Sequence, residues 1–337
     1  MATLETQKID ETISSRRALL AMGGAALAGL AFAGTAKAQT SSGPSDADIL
    51  NFALNLEYLE ANYYYSAAFG TTIDVANAAS TAAGAQVLGL TGTGTQGTVS
   101  VKANSKVPFT TIQVGSYAVE TAIEEGKHVA LLRNALGSAA VAQPAIDLNA
   151  AFNTLANAAG VASTFDPFSS DAAFLVGAYV FEDVGVTAYL GAASLLNGGA
   201  QGGKYLGTAA GILAVEAYHA GLIRTTINTF DPTGSAGFQG ITQKASALRA
   251  KLSLAANAKA TNPDDYGLGP QTVALGGTTG LNATTIVDAN PTNIVAFARN
   301  PTQVLNIVTG GGAISGGAVV SPAKGLFFPA GLNGNVK

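Results

Sequence analysis

Apolar residues recur at helical spacing in four long stretches of the chain, and the residues between them do not. Ile49, Phe52, Leu56, Leu59 and Tyr63 lie three or four residues apart, which predicts a first helix capped by Ser45 or Asp46 and stopped by Gly70. A second helix is predicted over 111–136, closing at Gly137. A third begins at the cap Ser170-Asp171 and runs to Leu196, with Gly198-Gly199 ending it. The fourth covers 204–230, where Asp231-Pro232 stops it. Shorter helices are expected over 149–159 and 243–255. Residues 71–111 lose the period: the run from Thr91 to Thr98 is turn-rich, and Val99 to Val107 alternates weakly, like a strand. So long a connection suits either parallel helices or a loop that covers the bundle. Beyond the last helix, Gly, Asn, Thr and Pro dominate and apolar stretches are short. The pattern therefore predicts an all-α protein. A four-helix bundle occupies 46–230, with a long insertion between its first two helices, and 231–337 is a helix plus an irregular extension that packs on the bundle.

Composition narrows what such a bundle can do. Of the 337 residues, 48% are hydrophobic and only 11% charged, so much of the surface is polar but uncharged. A net charge of −4 with no cluster of Lys and Arg argues against nucleic acid as a partner. The absence of cysteine removes disulfides, iron–sulfur clusters and thiol catalysis. The N-terminus reads as an address over residues 1–38: Arg16-Arg17 precede a small, apolar run to Ala36, and Ala36-Lys37-Ala38 has the form of a cleavage site. Paired arginines before a mildly apolar run resemble a twin-arginine signal, which predicts a periplasmic or secreted protein exported already folded. That run is short and weakly apolar for a spanning helix, so no stable membrane insertion is expected after cleavage.

The candidate chemistry sits on the four long helices. The two histidines of the chain, His128 and His219, each stand three residues after a glutamate, Glu125 and Glu216, and five residues before an arginine, Arg133 and Arg224. On a helix, positions i and i+3 share a face, so each stretch presents a carboxylate and an imidazole in one direction. Two such helices, with one glutamate from each of two more, make the carboxylate-bridged dimetal site of helical bundles. The third helix offers only Glu182. The first offers Glu57 and Glu60, and an internal echo favours Glu57: Glu57 and Glu182 are each followed seven residues later by a tyrosine, Tyr64 and Tyr189, whereas Glu60 is followed by Ala67. The chain thus reads as two copies of one helical hairpin, with Glu60 an outer or competing carboxylate. Burying four carboxylates with few lysines nearby is costly unless a cation joins them. Tyr64 and Tyr189 are candidates to hydrogen-bond ligand carboxylates, to act in redox chemistry, or merely to pack. Arg133 and Arg224 either neutralise carboxylates or suit the helix dipole, and Glu120 and Glu124 read as solvated or helix-pairing. His and carboxylate donors suit two iron or manganese ions.

These stretches resemble the ferritin-like superfamily, and within it the branch of desiccation-related proteins and exported bacterial relatives. The residues that carry the resemblance run from Asp48 through Glu57 to Glu60, from Glu125 through His128 to Arg133, from Phe181-Glu182 to Tyr189, and from Val215-Glu216 to His219. The stretches 292–307 and 325–329 join them. The resemblance implies Glu57 and Glu182 as terminal ligands, Glu125 and Glu216 as bridges, and His128 and His219 as one ligand per metal. Members of the superfamily store iron, activate dioxygen or dismutate peroxide with dimanganese. A di-iron oxidase, a dimanganese peroxide-dismutating enzyme acting on small oxidants, and a non-catalytic protective protein stapled by metal all stay open, as does a homo-oligomeric assembly. A storage cage fits less well, because the 71–111 insertion and the C-terminal extension would need room in a shell.

Overall fold

The computed structural model describes residues 43–74, 90–196, 202–257, 259–260, 262–273 and 281–337, and these from Pro44 onward form one compact unit. The predicted address at 1–38 lies outside the described residues, as does much of the 71–111 insertion. Four long helices carry the bundle: α1 (Asp46–Phe69), α2 (Ile112–Leu136), α4 (Asp171–Ala193) and α5 (Gly202–Phe230). The short helix α3 (Ala150–Ala158) precedes α4, and α6 (Phe238–Ala255) and α7 (Pro301–Val308) follow the bundle.

Local chemistry sets the helix ends. Ser45 and Asp48 form a capping box at the start of α1, and Gly70 takes a left-handed φ of 73° at its end. Ser170 caps α4 through the amide of Ala173 at 3.2 Å. Helix α6 begins five residues before the predicted start. Asp231, buried, accepts hydrogen bonds from the amides of Ala236 and Gln239 and so supports a first turn that the apolar pattern alone does not mark. Helix α4 stops at Ala193, short of Leu196. The irregular C-terminal region contains one well-formed helix, α7, with a capping box between Asn300 and Gln303 and Pro301 in its first turn. That Asn-Pro-x-Gln signature was present in the sequence and marks a helix start.

Pairings across the bundle give its directions. Tyr58 meets Arg133 and Tyr65 lies against Gly126, so α1 and α2 run antiparallel. Tyr64 and Tyr189 reach Glu182 and Glu57, so α1 and α4 do too. Helix α5 opposes both α2 and α4, as Glu124 pairs with His219 and Tyr179 with Arg224. Helices α2 and α4 are therefore parallel, as are α1 and α5; the crossover 137–170 joins the first pair, and the length of the 71–111 insertion is not required by helix direction. The part of it that the structure describes from residue 90 onward packs on that crossover instead. Strand β1 (Val99–Ser100) pairs in parallel with β2 (Ile146–Asp147), and Thr93 bridges to Val141. Strands β3 (Pro270–Val273) and β4 (Leu281–Thr284) form an antiparallel pair in the C-terminal region, as do β5 (Ile314–Ser315) and β6 (Ala318–Val319).

Helix α1 is buried on nearly every side, from Ile49 to Ala68. In a helix enclosed in this way most polar side chains must find partners within the protein. Its asparagines therefore act as docking points for non-helical chain. Asn51 accepts from the amide of Val141 and donates to Ala139 O, each at 2.9 Å. Asn55 exchanges two hydrogen bonds with the backbone of Asn333, and Asn62 donates to Gln143 Oε1 at 2.8 Å. The same enclosure explains why Tyr63, Tyr64 and Tyr65 are all buried although they point in different directions.

The C-terminal region is tied to the bundle by a buried ionic network. Asp183 of α4 receives Arg224 of α5 at 2.9 Å and Arg249 of α6 at 2.8 Å. Arg249 continues to Asp265 at 2.8 Å, and Arg299 joins Asp265 and Asp264 at 2.9 Å each. Burial raises the carboxyl of Asp265, but Arg249 and Arg299 outweigh it and hold the group below its ordinary range. Removing one partner of such a network strands the others in a poorly solvating interior. Arg249→Leu is expected to lower stability by about 3–5 kcal/mol, read as a lower midpoint in urea unfolding, whereas a shift under about 1 kcal/mol contradicts the assigned role.

Candidate metal centre

Glu57, Glu125, Glu182 and Glu216 come from four different helices and meet inside the bundle with no exposed surface, and His128 and His219 are 7% and 5% exposed beside them. The structure thus brings together all six residues that the spacing singled out. The oxygens of Glu57, Glu125 and Glu216 and a ring nitrogen of His128 converge within 4.8 Å of one another, and so do those of Glu125, Glu182 and His219. Glu125 belongs to both groups. His128 Nδ1 lies 3.3 Å from Glu125 Oε2, 3.4 Å from Glu57 Oε2 and 3.7 Å from Glu216 Oε1. His219 Nδ1 lies 3.1 Å from Glu125 Oε1 and 3.3 Å from Glu182 Oε2. Both imidazoles turn the same nitrogen inward, and the ring centroids stand 6.4 Å apart.

Several atoms at this centre are buried without a hydrogen-bond partner: Glu57 Oε2, Glu125 Oε1, Glu182 Oε2, both oxygens of Glu216, and His219 Nδ1. Buried polar atoms are seldom left so, and here all but the His219 nitrogen are carboxylate oxygens belonging to the two converging groups. The donor set of carboxylate oxygens and imidazole nitrogens is that of a hard or borderline cation, so the residues fit metal ions. Gly185 contributes by what it lacks: a Cβ there would fall 2.1 Å from Glu216 Oε2.

Electrostatics follow the same geometry. Burial pushes Glu216 and Glu60 well above the usual carboxylate range, and the neighbouring carboxylates add to it. Burial also raises Glu57, to about 7, although His128 opposes it. Glu125 goes the other way, because His128 and His219 together outweigh its burial and hold it well below the usual range. Burial disfavours the charged imidazoles, yet Glu125 and Glu57 raise His128 to about 11, and Glu182 and Glu125 raise His219 to about 12. Without a metal, two imidazolium ions thus supply the positive charge that the cluster demands.

The surrounding shell is duplicated as the sequence echo suggested, and the tyrosines act crosswise. Tyr64 of α1 donates to Glu182 Oε1 of α4, and Tyr189 of α4 donates to Glu57 Oε1 of α1. Burial first, and the adjacent carboxylates second, keep both phenols well above their ordinary range and so neutral donors. Arg133 donates to Tyr58, the residue after Glu57, while Arg224 donates to Asp183, the residue after Glu182. Arg133 therefore meets a phenol and backbone carbonyls, and only Arg224 meets a carboxylate. Glu60 stands outside both groups of converging atoms, against a small apolar cavity with Gly185, Phe181 and Phe327. Glu124 is not a free surface residue: its Oε2 lies 2.8 Å from His219 Nε2. Nothing in one sequence marks that contact, since a helical reading pairs Glu124 with positions on its own helix.

The crossed tyrosines give a direct test. Tyr64→Phe and Tyr189→Phe each leave a buried carboxylate oxygen without its donor, and each is expected to destabilise the metal-free protein by about 1–3 kcal/mol in chemical denaturation. Loss of one and indifference to the other would contradict the twofold reading.

Comparison with known proteins agrees with this architecture. The sequence model of the ferritin-like domain matches residues 45–229, which span the four long helices. The chain is 30% identical over 296 residues to the desiccation-related protein PCC13-62 of Craterostigma plantagineum, covering 85% of this chain and 82% of that protein. No solved structure matches it significantly. A bundle of this topology, matched across its whole length, places the chain in the ferritin-like domain family.

Proposed function

We propose that the protein is an exported, ferritin-like dimetal-carboxylate protein that handles small oxidants in protection against stress such as desiccation. The observation that carries this reading is the set of buried, unpartnered carboxylate oxygens and inward-facing Nδ1 atoms, each aimed at one interior space. In it, Glu57, Glu182, Glu125, Glu216, His128 and His219 would hold the ions, with Glu57 and Glu182 as terminal ligands, Glu125 and Glu216 shared, and one histidine for each ion. Two iron or manganese ions held there supply Lewis acidity and electrons for chemistry at an O–O bond.

The protein's own residues define what can reach them. Tyr64 and Tyr189 hold the terminal carboxylates in place, so the ligands meet the ions pre-oriented. The cavity beside Glu60 and Gly185 holds about 30 Å³, the room of a water or a diatomic molecule, and its walls are apolar. That size favours dioxygen or peroxide over an organic substrate. Kinship with a desiccation-related protein and the twin-arginine-type leader support a protective role outside the cytoplasm, with metal taken up before export. The second reading, metal as a structural staple in an inert bundle, draws on the zero exposure of all four ligand carboxylates.

Elemental analysis of protein folded in its native compartment, followed by peroxide and dioxygen turnover, separates the two. The proposal expects two iron or manganese ions per chain and turnover that disappears in the Glu125→Ala/His128→Ala variant. Metal content unchanged by that variant contradicts the ligand assignment, and loaded protein inert to both oxidants favours the staple. Binding also has a proton signature. Each imidazole must give up its Nδ1 proton to ligate, and both groups are raised far above 7 in the metal-free protein. Metal uptake at pH 7 is therefore expected to release at least two protons into weakly buffered indicator solution, two from the histidines and the rest from Glu216 and Glu57, whose carboxyls burial also raises, and affinity is expected to rise with pH as competing protons leave. Uptake without proton release would contradict His128 and His219 as ligands.

A further inference from the structure

The two halves of the site are not equal, and the inequality lies at a single pair of positions. His219 Nε2, on the side away from the carboxylate cluster, lies 2.8 Å from Glu124 Oε2, whose side chain is 37% exposed. Its Nδ1 faces Glu125 and Glu182. The pseudo-twofold relation carries Glu125 onto Glu216 and His219 onto His128, so it carries Glu124 onto Val215. Valine offers no acceptor. Among the described residues, His128 has contacts at Nδ1 only, with Glu125, Glu57 and Glu216, and no hydrogen-bond partner at Nε2.

We infer that Glu124 is a positioning residue for one metal position and not for the other. This rests on the dimetal reading above. By accepting the Nε2 proton of His219, Glu124 selects the tautomer that leaves the Nδ1 lone pair facing inward. It also fixes the ring plane against rotation and makes the imidazole a stronger donor. His128 has no such constraint and is held by packing and by its inward contacts alone. The duplicated sequence has thus kept two equivalent ligand sets while orienting only one histidine from outside. Outer partners of this kind are worth roughly ten- to a hundredfold in metal affinity.

The test is calorimetric titration of manganese(II) into metal-stripped full-length protein. The wild-type chain is expected to bind two ions. Glu124→Val, which copies the twin position, is expected to weaken one binding step by about ten- to a hundredfold and leave the other unchanged. Glu124→Gln, which keeps a side-chain acceptor, recovers most of that loss, whereas a merely electrostatic or structural role would not distinguish it from valine. Val215→Glu, offering His128 the same partner, strengthens a binding step. Because Glu124 is over a third exposed, its truncation opens no buried void, and an unchanged thermal melt of the metal-free variant checks the fold. Both steps unchanged in Glu124→Val, or both weakened equally, overturns the inference while leaving the dimetal reading intact. A wild-type chain that takes up neither manganese(II) nor, in an anaerobic titration, iron(II) overturns that reading, and this one with it.

Discussion

Four carboxylates enclosed together in the middle of a helical bundle are a repulsive arrangement, and most of the structure is intelligible as the answer to it. The four carboxylates have no exposed surface, so the charge of the cluster must be met from within. Two histidines face it from opposite helices, two tyrosines donate to its outer oxygens, and a glycine at 185 leaves room for Glu216. Several of its oxygens, both of Glu216 among them, still lack a hydrogen bond within the protein. A cluster left in that state would be a liability in a protein held only by packing; as a ligand set it needs nothing more than cations.

The second constraint is burial of the helices that hold it. Helix α1 is surrounded, and its asparagines fasten the crossover and the C-terminal tail to its flanks. On the opposite side, Asp183 follows Glu182 directly and starts the arginine–aspartate network that fixes α6 and the C-terminal region. The extension is therefore part of the scaffold around the site rather than an appendage, since it supplies Asn333 to α1 and Arg249 to α4 alongside the contacts made by the crossover and α5.

Much of this was legible in the chain. Helical periodicity gave the four long helices, because long periodic stretches with clear caps leave little room for another structure. The Glu-x-x-His pairs and the seven-residue Glu-to-Tyr interval identified the residues that meet, because positions on one helix face stay together in any bundle. What was not legible depended on contacts between distant segments. The role of Glu124 requires knowing that α2 and α5 are neighbours. The direction of α1 relative to α2 cannot be read from loop length, and the long insertion belongs beside the crossover. The ionic network joins residues far apart in sequence whose charges look ordinary one by one. Helix α7 is the exception, since its capping signature was present and short apolar stretches concealed it.

The central claim is that two cations complete the carboxylate cluster. Anomalous X-ray scattering from crystals of natively folded protein, measured on either side of the iron and manganese absorption edges, tests it most directly. The account predicts two strong anomalous peaks inside the bundle, both adjoining Glu125, one beside His128 Nδ1 and the other beside His219 Nδ1. No anomalous density, with the two imidazoles hydrogen-bonded to the carboxylates in its place, would contradict it.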